Sequence, residues 1–511
     1  MRGAGATQTP SRPSQFTYHP LEASRGLGGH PPRRQTPRAS LDRISPMKTA
    51  KKASARMQDM TVGDPLKLLI AFAMPMLIGN LFQQVYTMID TMEMGYFVGD
   101  DAISAVGAVS ALYNLLMSLV ISMNNGFAIP VTQAFGSHNE KRLRRSIAGM
   151  LILNGALVVI ATTLSVIFLT PMLHFMNIPE GIFEQSFAYM LILSLGLFTT
   201  VGYNMFSSIL RAVGNSRTPL YVLVVSSLVN IALDLFFIIV LGLGVVGTAL
   251  GTVLAQALSA VLCGGTLLRK YQAILPERGD WRASQKLWPE LLSSGFAMAL
   301  MLCVVNVGTL IFQRANNALG ETLIAAYAAA RKIIEAFMTP SGTLAAAAST
   351  FVSQNWGARR YDRIRQGLRI ALVLEIIWGL IACALGFAVG EFMVRLITGT
   401  QSAGIIEGGT LAIHFSLPFF AVLGVLLCLR TAMQSMGYKA APVISSCVEL
   451  AMKFLAASFL IPVWGYIGTC ATEPVTWVLM TAYLGGAYFI RRKKMYPEED
   501  EPKIEADSSN A

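Results

Sequence analysis

Gln133-Ala134-Phe135-Gly136 returns 221 residues later as Gln354-Asn355-Trp356-Gly357. Two further stretches repeat at the same offset: Gly99-Asp100-Asp101-Ala102-Ile103 returns as Gly320-Glu321-Thr322-Leu323-Ile324, and Gly244-Val245-Val246-Gly247-Thr248 as Gly465-Tyr466-Ile467-Gly468-Thr469. Self-similarity at one fixed spacing is the signature of a repeated structural unit. The sequence therefore predicts two halves that share one arrangement of secondary structure.

The composition indicates a membrane protein. Hydrophobic residues make up 54% of the chain and charged residues only 14%, whereas soluble domains are about 25% charged. Apolar stretches at 147–169, 220–241, 368–389 and 440–463 reach the roughly 20 residues that a membrane-spanning helix needs. A backbone in lipid has to satisfy its own hydrogen bonds, so these stretches are predicted to be helices and the chain an all-α polytopic membrane protein.

Basic residues occur in alternate connections between the apolar stretches. The basic set comprises Lys141, Arg142, Arg144, Arg145, Arg211, Arg217, Arg269, Lys270, Arg278, Arg282, Lys286, Arg359, Arg360, Arg363, Arg365 and the run 491–494. The connections near 98–104, 170–184, 242–246, 316–321 and 398–410 contain no lysine or arginine. This positive-inside pattern predicts twelve spans in a plasma (inner) membrane with both termini in the cytoplasm. Six spans per half insert in one orientation, so the halves are predicted to be parallel repeats, an arrangement typical of transporters.

These patterns divide the chain into five regions. Residues 1–60 form a predicted disordered extension, with Met47 as a possible true start, because 1–56 are rich in Pro, Ser, Arg and Gly. An amino lobe (61–270, helices 1 to 6), a cytoplasmic linker (271–291), a carboxy lobe (292–490, helices 7 to 12) and a cytoplasmic tail (491–511) follow. The basic residues behind the net charge of +11 lie in alternate connections between the spans. This charge therefore reflects the membrane topology and does not indicate nucleic-acid binding.

Three acidic residues lie within spans of the first half: Asp90, Glu93 and Asp234. An ionisable residue deep in a span costs about 2.5–3.5 kcal/mol, so each one is a candidate functional group. Asn230 and Asp234 are four residues apart and share one helical face, and Thr252 in the sixth span is a further candidate member. Carboxylates that share a poorly hydrated site can carry a proton, and the same oxygens can bind a sodium ion. A structural role remains open for a single aspartate, as does a solvated position for Glu93.

The second half does not repeat these acids. Ile311 stands at the position equivalent to Asp90, and Glu473 at the position equivalent to Thr252. Glu449 and Lys453 have the i,i+4 spacing of a helical ion pair, and Arg331 is expected to pair with Glu335 in the same way. His414 can titrate near neutral pH but can equally be a packing residue. The predicted cavity-lining candidates are therefore Gln84, Glu93, Glu335, His414 and Glu473.

Several blocks, taken in order, resemble the multidrug and toxic compound extrusion (MATE) family, within the wider superfamily of MATE transporters and flippases. The blocks are Pro75-Met76-Leu77-Ile78-Gly79-Asn80 running on to Ile89-Asp90-Thr91, Gln133-Ala134-Phe135-Gly136, Leu210-Arg211-Ala212-Val213-Gly214 and Gln354-Asn355-Trp356-Gly357. The resemblance covers about 60–495. It implies two six-helix lobes that export organic cations by antiport with protons or sodium, in which Asp90, Asn230 and Asp234 couple the ion and Thr252 is a further polar member. Two departures from the family are Glu93 and the missing acid in span seven; the second favours coupling through the amino lobe.

A flippase and a membrane enzyme are the two alternatives to an exporter that works by alternating access. A flippase for lipid-linked precursors should have several arginines in its cavity, for which only Arg331 and Arg430 are candidates. A membrane enzyme would need a nucleophile or a metal cluster such as His-Glu-x-x-His, which the sequence lacks. We therefore expect no enzyme activity and no cofactor beyond H+ or Na+. The expected partners are small-molecule organic cations and the lipid bilayer, and the protein is expected to act as a monomer.

Overall fold

The computed structural model describes residues 57–496, which are helical almost throughout and contain no strand. The predictions for the first 56 residues, including a start at Met47, and for the acidic tail from 497 lie outside the described residues. Twelve long helical segments follow one another within 57–496: α1 (Pro65–Phe97), α2 (Asp100–Gly136), α3 (Glu140–Phe175), α4 (Glu180–Leu195 with Leu197–Ala212), α5 (Arg217–Val240), α6 (Gly244–Lys270), α7 (Trp288–Asn317), α8 (Glu321–Gly357), α9 (Tyr361–Thr398), α10 (Ala403–Ser435), α11 (Ala440–Trp464) and α12 (Tyr466–Met495). By length and composition, ten of these twelve segments can cross a membrane if the bent α4 is one span; α8 and α12 are less apolar.

The two halves of the described chain repeat the same irregularities, which confirms the predicted parallel repeat of two six-helix lobes. Gly99 and Gly320 begin α2 and α8 with φ angles of 107° and 96°, which L residues with a side chain rarely adopt. The fifth helix of each lobe ends in a π-helical turn, Phe236–Val240 in α5 and Ala456–Leu460 in α11. The fourth helix of each lobe is also interrupted, with a bend of 43° in α4 and a 3₁₀ turn at Leu417–Phe419 in α10.

Each lobe packs its own apolar core and exposes an apolar exterior. Phe127, Met150 and Tyr271 are buried in the amino lobe, and Phe420 packs edge-to-face on Trp477 in the carboxy lobe with their ring centroids 5.8 Å apart. Large apolar side chains are also exposed along the spans, among them Ile160, Leu310, Leu380 and Phe459. An apolar surface of this kind suits contact with lipid, since a soluble protein rarely exposes large contiguous apolar patches.

The two lobes touch at the end of the molecule that carries the α2–α3 and α8–α9 connections, which we call the basic end. Gly136 at the end of α2 lies against the Gln354 carbonyl, and Gly357 at the end of α8 lies against the Gln133 carbonyl. The Gln133 amide donates to the Ser435 carbonyl at 2.6 Å, and the Gln354 amide donates to the Ala212 carbonyl at 2.9 Å. The opening repeat of the sequence therefore forms both sides of one symmetric contact between the lobes. This structure is closed at the basic end.

The segment before α1 is folded across the basic end. Met60 is fully buried, and its backbone N–H donates to the Gln354 side chain at 2.8 Å. Its carbonyl accepts hydrogen bonds from Asn355 and Arg363, both at 3.1 Å. The predicted disordered extension 1–60 was therefore too long, because its last residues bind the carboxy lobe.

Two other predicted boundaries also differ from the structure, each because a helix extends into the predicted connection. Residues 288–291 of the predicted linker already belong to α7, and the linker itself contains the short helix Arg278–Ala283. Helix α12 continues to Met495, beyond the predicted lobe end at 490.

Candidate functional site

The acidic residues of the amino lobe come together in space far from the basic end. Asp90 and Glu93 lie in the last turns of α1, three residues apart, and therefore share one face of that helix. Asp234 lies opposite them, at the end of the α-helical part of α5. Carboxylate oxygens of all three residues lie within 4.8 Å of one another. We call Asp90, Glu93 and Asp234, together with Asn230, the carboxyl cluster.

Asp234 is the most enclosed member of the carboxyl cluster. Its side chain is fully buried, and its Oδ2 accepts a hydrogen bond from the Asn230 amide at 2.9 Å. An Asp90 carboxylate oxygen lies within 4.8 Å of one of Asp234. Two carboxyl groups this close repel each other when both are ionised, so the arrangement suits a proton held by one of them.

The carboxyl cluster has no basic partner among residues 57–496. No lysine, arginine or histidine nitrogen in this range lies within 4.0 Å of its carboxylates. Asp234 Oδ1 and Glu93 Oε2 are buried acceptors without a hydrogen-bond donor in the same range. Buried charge has to be neutralised, and here a proton or a hard cation bound through oxygen ligands can do so. The residues present therefore fit either of the coupling ions expected from the sequence.

Glu93 belongs to this cluster. Of its two predicted positions, in the cavity or in solvent, the structure agrees with the first. Its side chain is only 7% exposed, although it lies close to the end of α1. A solvated position, which remained open from the sequence, does not agree with this burial. The structure therefore adds a third carboxyl group to the pair that sequence spacing indicates.

Thr252 is not joined to the carboxyl cluster by a hydrogen bond in the described part of the chain. Its neighbour Gly251 lies against Asp234 instead, since a Cβ at Gly251 would overlap Asp234 Oδ1 and lie 3.3 Å from the Asn230 amide nitrogen. A glycine at this position thus lets α6 approach α5 closely. The sequence indicated the correct turn of α6 but not the residue that faces the acids.

Tyr86 is a member of the site that the sequence analysis missed. Its hydroxyl donates to Asn230 Oδ1, so that Asn230 connects Tyr86 of α1 to Asp234 of α5. Tyr86 lies four residues before Asp90 and therefore on the same face of α1. That spacing was the only available signal, and a tyrosine in an apolar helix is not unusual enough to reveal it.

We expect Tyr86→Phe to slow ion-driven transport about fivefold, because Asn230 Oδ1 would lose its donor at a cost of about 1 kcal/mol. The measurement is the initial rate of dye efflux from vesicles at a fixed ion gradient. Tyr96→Phe is the matched control, since Tyr96 lies on the same helix but is 84% exposed. Equal rates for Tyr86→Phe and the unmodified protein would exclude this role for the hydroxyl.

The charged residues of the carboxy lobe form a separate network around a cavity of about 170 Å³. Arg331 pairs with Glu473 at 3.0 Å and with Glu335 at 2.8 Å. Lys453 pairs with Glu449 at 2.9 Å and lies 3.8 Å from Glu473. The two predicted i,i+4 pairs are therefore present in the structure, and Glu473 joins them to each other.

Gln84 and His414 occupy two further places. The Gln84 amide donates to Thr339 of α8 at 2.7 Å, which makes Gln84 part of the contact between the lobes. His414 stacks on Phe387 with their ring centroids 4.2 Å apart, as expected of a packing residue. Neither of these residues belongs to the carboxyl cluster or lines the cavity around Glu473.

Comparison with known proteins identifies similar sequences and folds. A protein-family model described as MatE matches residues 75–236 and 297–457. The probable multidrug resistance protein YoeA of Bacillus subtilis (strain 168) is 27% identical over 442 residues, which span 83% of this chain and 93% of YoeA. The FAD transporter of Shewanella oneidensis is 21% identical over 316 residues, 61% of this chain and 70% of that protein.

The fold also resembles that of solved structures. One is described as the outward-facing conformation of a multidrug resistance MATE family transporter of the MOP superfamily. It aligns with a TM-score of 0.79 at 19% identity and covers 87% of this chain and 98% of its own. A structure described as MATE in the bent conformation gives the same TM-score at 20% identity. At these identities the likeness establishes the arrangement of the twelve helices.

Proposed function

This chain belongs to the MatE family, and on that premise we propose that it exports drug-like organic compounds, organic cations among them, in exchange for protons. It is a multi-pass membrane protein of a transporter family and not an enzyme. The proposal places it in the plasma membrane as a monomer with both termini in the cytoplasm, so that the basic end faces the cytoplasm. The multidrug names of relatives such as YoeA support drug export. The name of the FAD transporter leaves other small molecules open as substrates.

The observation that carries the proposal is the carboxyl cluster. Asp90, Glu93 and Asp234 are gathered within 4.8 Å without a basic partner in residues 57–496. Such a site binds one or more protons or a sodium ion and releases them when it opens to water. We assign a proton in preference to sodium because two carboxyl groups this close, buried and without a basic partner in residues 57–496, favour protonation of one of them.

Helix α1 provides a connection between the carboxyl cluster and the closed basic end. It carries Asp90 and Glu93, and also Asn80, which donates to Thr343 of α8 at 2.9 Å, and Gln84. In this proposal, ion binding changes how α1 packs on α5, and the change reaches α8 through these two amides. A movement of α1 would therefore alter the contact between the lobes, as alternating access requires.

The experiment is ion-replacement transport in proteoliposomes that contain the purified full chain. A proton gradient alone is expected to drive movement of a fluorescent cationic dye, and a sodium gradient at equal pH is expected not to. Transport on a sodium gradient alone would mean that the same site couples export to sodium and not to protons. No response to either gradient would contradict ion antiport altogether.

The flippase alternative gains no specific support. Arg331 and Arg430 do line one cavity with Lys453, but each of the three cations has a glutamate within 4.0 Å. A precursor phosphate would have to compete with Glu449 and Glu473 for them. Paired charges of this kind indicate a structural network more than an open anion site.

A further inference from the structure

A second cavity, of about 240 Å³, lies between the two lobes near the basic end. Its polar lining comes from α2, α4, α8 and α10: Asn125, Thr132, Ser208, Arg211, Ser349, Thr350, Ser353, Thr431 and Gln434. No aspartate or glutamate lines it. Its lining therefore combines one positive charge with several uncharged polar side chains, unlike the carboxyl cluster at the far end of α1.

Arg211 supplies that charge. By its position in the sequence Arg211 belongs with the basic connections, but in the structure it lies in the last turn of α4 and lines the cavity. No carboxylate among residues 57–496 lies within 4.0 Å of its guanidinium. The titratable groups near it are Tyr203 and Cys263, which are neutral at physiological pH. An arginine kept without a counter-ion in such a place is a functional candidate, since its burial costs free energy that no ion pair recovers.

Three basic residues inside the carboxy lobe provide a contrast. Arg331, Arg430 and Lys453 each have a glutamate within 4.0 Å. Asn125 of α2 also lines the cavity, and its side chain is exposed there. Guanidinium groups bind carboxylate and phosphate through two parallel hydrogen bonds. The cavity thus combines an uncompensated cation with an exposed amide, which is a suitable environment for an anionic group.

We propose that this cavity binds the acidic group, a carboxylate or a phosphate, of a soluble organic substrate through Arg211. The inference rests on the proposed function and deepens it, because it assigns to the exporter substrates that carry an acid, either alone or beside an amine. Ligand pockets usually measure about 300–1,000 Å³, so a cavity of 240 Å³ holds the acidic end of such a molecule. The remainder extends along the interface between the lobes.

The test compares two dyes that differ only at the acid. Rhodamine 110 carries a free carboxylate, and rhodamine 123 is its methyl ester. Their dissociation constants are measured by fluorescence anisotropy with the full chain in nanodiscs of phosphatidylcholine, without any ion gradient. We expect the unmodified protein to bind rhodamine 110 about tenfold more tightly than rhodamine 123, as a charge-assisted hydrogen bond predicts.

Two substitutions at Arg211 distinguish specific recognition of the acid from a general effect on the protein. Arg211→Gln is expected to remove the preference for the acid while leaving the affinity for the ester unchanged, and Arg211→Lys to keep most of the preference. Arg217→Gln is the matched control, because Arg217 is the first residue of α5, is exposed and does not line the cavity. If Arg211→Gln does not fold, the acid–ester comparison in the unmodified protein and in Arg211→Lys still decides the question.

Equal affinities for the acid and the ester in the unmodified protein would overturn the proposal, as would equal weakening of both dyes by Arg211→Gln. Displacement of rhodamine 110 by phosphatidylglycerol in the nanodisc would also overturn it, because the anion would then be a lipid headgroup. Binding is measured at equilibrium, so failure of ion coupling at Asp90 and Asp234 leaves this result unchanged. The two proposals can therefore fail separately.

Discussion

Asp234→Asn is expected to reduce ion-driven efflux to the background of vesicles without the protein. The amide keeps nearly the same shape and can still bond Asn230, but it neither binds nor releases a proton at any physiological pH. Since Asp234 is fully buried, the substitution removes a proton-binding group from the interior of the carboxyl cluster. Asp90→Asn is expected to have the same effect, because the two carboxyl groups act as a pair.

The measurement is proton-driven efflux of a cationic dye in everted vesicles, normalised to the amount of protein in the membrane. Glu391→Gln is the control, because Glu391 is an exposed carboxylate in a span of the carboxy lobe and pairs with Arg395 at 2.7 Å. It is expected to transport normally. If Asp90→Asn and Asp234→Asn both leave proton-driven efflux intact, the carboxyl cluster is not the coupling site.

The sequence predicts the fold well because the bilayer restricts what a chain can do. A span needs about 20 apolar residues and must be helical, so most of the helices follow from hydropathy. The less apolar α8 and α12 follow from the 221-residue offset, which pairs them with α2 and α6. Helix ends are less well determined, since α12 continues past 490 on residues that no longer need to be apolar. Met60 was unpredictable for a different reason. Its burial depends on Gln354, Asn355 and Arg363, which lie almost 300 residues away along the chain.

The sequence identifies a residue of the candidate site only where its side chain costs free energy in lipid. Asp90 and Asp234 are conspicuous for that reason, and the structure brings them together. Tyr86 and Gly251 are inconspicuous, because their positions depend on how α1, α5 and α6 rotate against one another. Arg211 was assigned to a connection, since sequence does not show whether a basic residue at a helix end points to water or into a cavity.

Gly136→Leu is expected to prevent closure of the basic end and to abolish transport. A side chain at Gly136 would overlap the Gln354 carbonyl, which is part of the α8 backbone and cannot rotate away. Overpacking of a close contact costs about 1–3 kcal/mol, and an opening between the lobes avoids that cost. The substitution should therefore favour a state in which the lobes separate at the basic end. Spin labels at 140 and 362, on a cysteine-free background, should then lie several ångströms further apart.

The internal repeat provides a second, equivalent substitution with which to test this prediction. Gly357 lies against the Gln133 carbonyl just as Gly136 lies against that of Gln354, so Gly357→Leu should increase the same distance by a similar amount. Gly107→Leu is the control, because Gly107 is also in α2 but a Cβ there has open space. An effect of Gly136→Leu without one of Gly357→Leu would mean that the two halves of the contact do not act together. Unchanged distances in both variants would mean that the basic end closes without these glycines. Only a symmetric effect supports a contact in which each repeat supplies one glycine and one glutamine.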